Sequence, residues 1–199
     1  AQEPRGLGDV YKRQITSNLG EKIDNISNYA ITLSINSNIA DVLKENPTVP
    51  ENTLEHFLVN SELTDQAQRI IGLHKNIYAW DILDTENHWF HSSTTETDQL
   101  DSILGPEVLD SLQTNLAFQF LGPFQISGEP TFVALKSITN IDNTKYLGAL
   151  VLLIRETNIS SAFRDLPDSS SRDFYITDEN GQILSSSSSG GIYLSLIHI

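Results

Sequence analysis

Cysteine and methionine are both absent from the 199-residue chain, and basic residues are scarce, 12 against 26 acidic ones. Without cysteine there is no disulfide, no thiolate nucleophile and no cysteine-ligated zinc or iron–sulfur site. Without even an initiator methionine, the chain reads as a fragment of a longer gene product. A net charge of −14 predicts repulsion from nucleic acid and from anionic lipid surfaces, so no nucleic-acid partner is expected. The plainest reading of that charge is a solvated acidic surface. Long apolar runs are lacking as well. The longest, Tyr146–Ile154, has nine residues, whereas a membrane-spanning helix needs about 20; its leucine and β-branched content predicts a buried strand. Catalytic signatures are missing too: there is no Gly-x-Ser-x-Gly, no His-Glu-x-x-His and no phosphate loop between residues 15 and 190. Asp84 reads as a turn residue, not as half of a carboxylate pair with Asp81. No enzyme activity and no cofactor are expected.

What is present is a repeated pattern. Ile77–Ser93 and Phe174–Ser186 each run from an apolar strand through an acidic turn containing Asn into a second strand that ends in serine. In the second copy Asp178-Glu-Asn-Gly181 supplies the turn chemistry, since Asn and Gly tolerate positive φ. Two such hairpins roughly a hundred residues apart predict two related sheet-based modules in tandem.

Helical periodicity surrounds the first hairpin. Leu19, Ile23, Ile26, Ala30 and Leu33 form an apolar seam that fits the domain's own sheet or a second copy of the helix, with a weak continuation to Leu43 before Pro47 and Pro50 break it. A second helix is predicted after Pro50, with Leu54, Phe57 and Leu58 as one apolar cluster and Leu63, Ala67, Ile70 and Ile71 as another. Asp98 to about Asn115 is helix-compatible and interrupted by Gly105-Pro106, with proline suited to the first position of a new helix. Three strands follow at 117–124, 131–139 and 147–154, the last two joined by the turn-rich segment Asn140–Lys145. A short helix is expected from Asn158 to about Leu166. Both ends, 1–14 and 191–199, resemble translated adapter sequence and are read as non-native leader and tail; Gly6-Leu-Gly8 is then no nucleotide loop.

This order of elements resembles a double Cache sensor domain, and more narrowly the extracellular part of YesM-like sensor histidine kinases. The residues carrying the resemblance are Asn18–Ser27, Ile77–Ser93, Tyr146–Ile154 and Phe174–Ser186. It implies an α+β fold with a long N-terminal signalling helix (15–50) packed on a PAS-like five-stranded antiparallel sheet, the membrane-distal module (51–156). A linker helix and the truncated start of a membrane-proximal module (157–190) would follow. It further implies membrane-spanning helices outside this chain, a location on the extracellular face of the cell membrane, and a kinase or chemoreceptor output. The implied partners are a small-molecule ligand or a solute-binding protein, and a second copy joined through the N-terminal helix. A structural or dimerisation module is the alternative from another class.

The Tyr, Arg, Trp, Tyr, Asp constellation by which such domains bind amino acids is not found, since Lys136 is the only cation on the three strands before Ile154. Pocket candidates therefore come from the sheet: Trp80, Trp89, His91, Phe132 and Lys136. The tryptophans have the surface to wall an apolar or sugar-like ligand, although ordinary core is the plainer reading of both. Lys136 fits an anionic group or a solvent-facing position; strand alternation puts it on one face with Phe132. His88 and His91, three apart, point to opposite faces of a strand and do not suit a shared metal, although His74 and Asp81 are near in sequence. His56 reads as a helix-surface residue.

Overall fold

The computed structural model describes residues 5–47, 49–72, 76–92, 97–140, 142, 145–164, 174–177 and 183–186. His74, the turn Asp178–Gly181 and the tail Gly191–Ile199 lie outside them. Three helices, α1 (Arg5–Ser34), α2 (Ser37–Glu45) and α3 (Leu54–Ile71), precede β1 (Ala79–Asp84) and β2 (Trp89–His91). Then come α4 (Thr97–Ile103), α5 (Pro106–Thr114), β3 (Gln119–Ile126), β4 (Glu129–Thr139), β5 (Tyr146–Arg155), α6 (Glu156–Arg164), β6 (Tyr175–Thr177) and β7 (Ile183–Ser186). The first five strands make an antiparallel sheet of order β2-β1-β5-β4-β3, and β6 and β7 pair separately. The expected α+β class, with its N-terminal helix and five-stranded sheet, is what the chain adopts. By contacts the chain divides into two units, Ile26–Ile154 and a second made of Ala1–Asn25 with Arg155–Ile199.

In the larger unit both sheet faces are covered. Every residue of β1 is buried, its two aspartates included, and so is every residue of β5 from Leu147 to Ile154, which is why β5 reads as a continuous apolar run. Cross-strand register fixes the faces. Ala79, Asp81 and Leu83 sit opposite Leu153, Val151 and Ala149, and Asp81 and Leu83 sit opposite His91 and Trp89 on the other side. That face forms one core with Val133, Leu135 and Ile126 and with Leu100, Leu104 and Leu112 from the α4–α5 segment. Trp80, Ile82 and Phe90 alternate to the opposite face. Each fully buried Leu, Ile or Val contributes about 1.5–3 kcal/mol relative to exposure. Gly148 has a steric reason: a Cβ there would lie 2.5 Å from the Leu83 carbonyl oxygen.

The helices follow the predicted seams with two corrections. The first helix does not continue to Leu43. It ends at Ser34, because Asn36 turns its side chain to accept from the Asn38 and Ile39 N–H groups (3.0 and 3.2 Å) and starts α2. In α3 the first predicted cluster, Leu54, Phe57 and Leu58, faces outward; of the second, Leu63, Ala67 and Ile71 are buried, in a row with Val59 at intervals of four, and Ile70 is half-buried. Along α1, Ile26, Ala30 and Leu33 are buried in the unit that holds the sheet, and Ile15, Leu19 and Ile23 are half-buried.

The smaller unit is built around a buried carboxylate. Glu156, in the first turn of α6, accepts hydrogen bonds from Ser185 on β7 and from Ser160 one turn along (3.4 Å). Phe163 of α6 packs beside Phe174 at 6.4 Å between ring centroids, and Asn18 of α1 donates to the Ala162 carbonyl at 3.3 Å.

Candidate functional site at the β1–β2 hairpin

The hairpin is shaped by its acidic residues. Asp84 closes the turn: its Oδ1 accepts from the Glu86 and His88 N–H groups, both at 2.8 Å, and its Oδ2 meets His88 Nδ1 at 3.0 Å. Asn87 takes a φ of 65° there, a conformation Asn tolerates. His88 thus lies in the turn and His91 on β2, each with its own aspartate. Among the described residues no group of three His, Cys, Asp or Glu side chains is arranged to hold a metal.

One side of the hairpin gathers four polar or aromatic groups. Asp81, wholly buried, holds His91 Nδ1 through Oδ1 at 2.8 Å. The His91 ring stacks on Trp89 at 5.8 Å, and Trp89 donates from Nε1 to Asp101 of α4 at 2.9 Å. With Nδ1 committed to a carboxylate, Nε2 is the His91 nitrogen left for a further partner, and the pairing fixes the ring's orientation. Asp101, on the helix that covers this face, was not anticipated from sequence; nothing local in a helical Asp marks it as a tryptophan acceptor.

The outer edge of β2 is closed by side chains. Asn60 of α3 accepts from His91 N–H (2.8 Å) and donates to His91 C=O (3.2 Å). His56 Nε2 meets the Trp89 carbonyl at 2.9 Å, and Glu51 accepts from Trp89 N–H at 3.2 Å. His56 also stacks on Phe90, with ring centroids 4.8 Å apart. It is half-buried and not the surface residue expected. The signal was available: His56 and Asn60, four apart, lie within one helical turn's arc of the Val59–Leu63 seam.

The predicted site residues separate into two groups. Trp89 and His91 come together. Trp80 and Phe132 are buried; Phe132 stacks with Phe120 at 5.1 Å, and Trp80 lies on the opposite face of the sheet from Trp89. Lys136 donates from Nζ to the Leu116 carbonyl, and partial burial lowers its pKa. Trp80 does border a cleft of about 230 Å³, together with Gln68, Ile71, Gly72, Ile77, Tyr78, Ala79 and Ser92. At the start of β5, burial and the nearby Asp84 charge push the Tyr146 hydroxyl up to about 12.

No family model matches the chain, and no curated protein matches it. Solved structures do. The sensor domain of the V. cholerae histidine kinase DctB is 14% identical with a TM-score of 0.68, over 98% of this chain and 70% of that one. The ligand-binding domain of the Pseudomonas aeruginosa PAO1 amino acid chemoreceptor PctC, solved with GABA, is 10% identical with a TM-score of 0.66, over 96% and 77%. That of the Pseudomonas fluorescens chemoreceptor CtaA, solved with L-serine, is 12% identical with a TM-score of 0.63, over 96% and 74%. The chain shares the fold of these domains. No described helix is long and apolar enough to cross a membrane.

Proposed function

We propose that this chain is the extracellular ligand-sensing part of a bacterial transmembrane receptor, with a histidine kinase or a chemoreceptor as its output. The observation that carries the reading is the likeness to sensor and chemoreceptor ligand-binding domains over 96–98% of the chain. The finer assignment is to the double Cache class and to YesM-like kinases. It rests on the two hairpins, β1–β2 and β6–β7, in the order expected of a complete module followed by the start of another.

We infer a ligand site at the accessible edge of His91, next to Trp89 and Asp101. This is where an oriented, partly exposed imidazole, its buried carboxylate partner and the Trp89–Asp101 pair converge. The chemoreceptor domains above were solved with amino acids or GABA. In this chain the strands β3 to β5 carry Lys136 and, at the very end, Arg155 as their only basic residues. Lys136 is tied to Leu116. A free carboxylate therefore lacks its usual guanidinium, and an uncharged or amine-bearing small molecule suits the acidic side of the hairpin better.

A thermal-shift screen over amino acids, amines and sugars tests this, because a ligand that binds only the folded state raises the melting temperature. One chemical class should shift the parent, and His91→Ala should remove the shift. A shift equal in parent and His91→Ala would move the site elsewhere, and no shift at all would end direct sensing. The half-burial of Ile15, Leu19 and Ile23 favours pairing of two copies along α1. Sedimentation of Leu19→Asp/Ile23→Asp against the parent decides that point.

A further inference from the structure

We propose that the outer face of the first half of α3 is a docking surface for a second protein, one whose contact presents apolar side chains flanked by lysine or arginine. Helix α3 is apolar on two opposite sides. Its inner row, Val59, Leu63, Ala67 and Ile71, is buried. At 3.6 residues per turn, Leu54, Phe57 and Leu58 fall within an arc of about 100° on the other side. They are 76%, 66% and 58% exposed. Single exposed apolar side chains need no explanation, but three large ones adjoining on one face mark an interaction site. A helix that serves only its own core needs one apolar face.

Charge decides the occupant. From Glu45 to Gln68 the chain has Glu45, Glu51, Glu55, Glu62 and Asp65 and no lysine or arginine. Glu55 and Glu62 both flank the patch by helical spacing, and Glu55 is exposed with it. A second copy of this chain would bring the same carboxylates against themselves, on a molecule already at −14. An anionic bilayer would be repelled for the same reason. A protein surface with an apolar centre and a basic border is complementary to both features. The helix that bears the patch also holds the β2 edge through His56 and Asn60, so a docked partner would sit on an element hydrogen-bonded to the sheet. The proposal does not require a small molecule at Trp89 and His91.

The test uses the whole chain and two synthetic amphipathic helical peptides with the same leucine stripe, one flanked by lysine and one by glutamate, followed by fluorescence anisotropy. The lysine-flanked peptide should bind saturably and the glutamate-flanked one should not. Leu54→Ser/Phe57→Ser/Leu58→Ser leaves the charge unchanged and should weaken binding by at least about tenfold, with far-UV dichroism like the parent's. Glu55→Lys/Glu62→Lys should reverse the preference and admit the glutamate-flanked peptide. Absence of saturable binding, equal binding by the triple variant, or a preference that the charge reversal leaves in place would overturn the proposal. So would a parent dimer that the triple variant abolishes, which would make the occupant a second copy.

Discussion

The two edges of the five-stranded sheet are closed by different chemistry. At β2 the backbone finds partners: Asn60, His56 and Glu51 take up the N–H and C=O groups of Trp89 and His91 as a neighbouring strand would. At β3 the backbone is interrupted instead. The register with β4 shifts between Leu121 and Phe124, at Gly122-Pro123, where Gly122 has a φ of 109° and proline offers no N–H. An exposed strand edge is a template for wrong pairing, and irregularity with proline blunts it. An edge laid against a helix has lost its water and needs protein groups in return. The first edge is wired into the fold, and the second is protected from joining anything else.

Substitutions at the two edges should therefore differ in size and kind. The largest effect is expected for Asn60→Leu, which strips both partners from His91. Leaving two partly buried backbone groups unmade should cost about 2–4 kcal/mol, read as a drop in the urea midpoint at unchanged m-value. The strand between the edges supplies the next test. Tyr146 has a folded pKa raised to about 12 from 10.0, so the stability its neutral form contributes is whole below pH 10 and lost as pH rises toward 12. Unfolding measured from pH 9 to 12 should lose up to about 2 kcal/mol, and Tyr146→Phe should flatten that slope. Gly122→Ala forces a side chain into the left-handed region and should cost about 1–2 kcal/mol. It should also raise no tendency to aggregate while Pro123 stays; aggregation in Gly122→Ala alone would show that the glycine, and not the proline, guards the edge. The smallest effect is expected for Glu51→Ala, about 0.5–1 kcal/mol, because Glu51 is exposed and its loss removes one hydrogen bond where Asn60→Leu removes two. A loss as large as that of Asn60→Leu would mean the β2 edge is far drier than its half-exposed members imply.

How much of this could be read from the sequence depends on range. β5 was legible because it is buried on both faces and therefore continuous in apolar character, β1 and β4 from shorter apolar stretches bounded by turn residues, and α5 because Gly105-Pro106 announces its start. The hairpin turn was legible from Asp84 and Asn87, whose chemistry is local. Long-range pairings were not. Nothing near Trp89 says that Asp101 will accept from its indole, and nothing in Asn60 says that it will meet His91, 31 residues away. The outward turn of Leu54, Phe57 and Leu58 was hidden for a different reason: periodicity finds apolar residues but does not say which of two apolar faces points inward. Of the pocket residues chosen from the sheet, Trp89 and His91 are together because cross-strand register places them beside Asp81. Trp80, Trp89 and Phe132 are all buried, because the core competes for the same large aromatic side chains, although Trp80 also borders the cleft.

The union of α3 with β2 has one more consequence. A strand held by another strand can creep by small shears, since backbone groups recur every residue or two. A strand held by His56 and Asn60 cannot, because on a helix the next pair of side chains presented in the same direction comes one turn away, about 5.4 Å along the axis. The joint therefore behaves as a detent: rigid to small pushes along the helix, and able to yield only by a full click or by letting go.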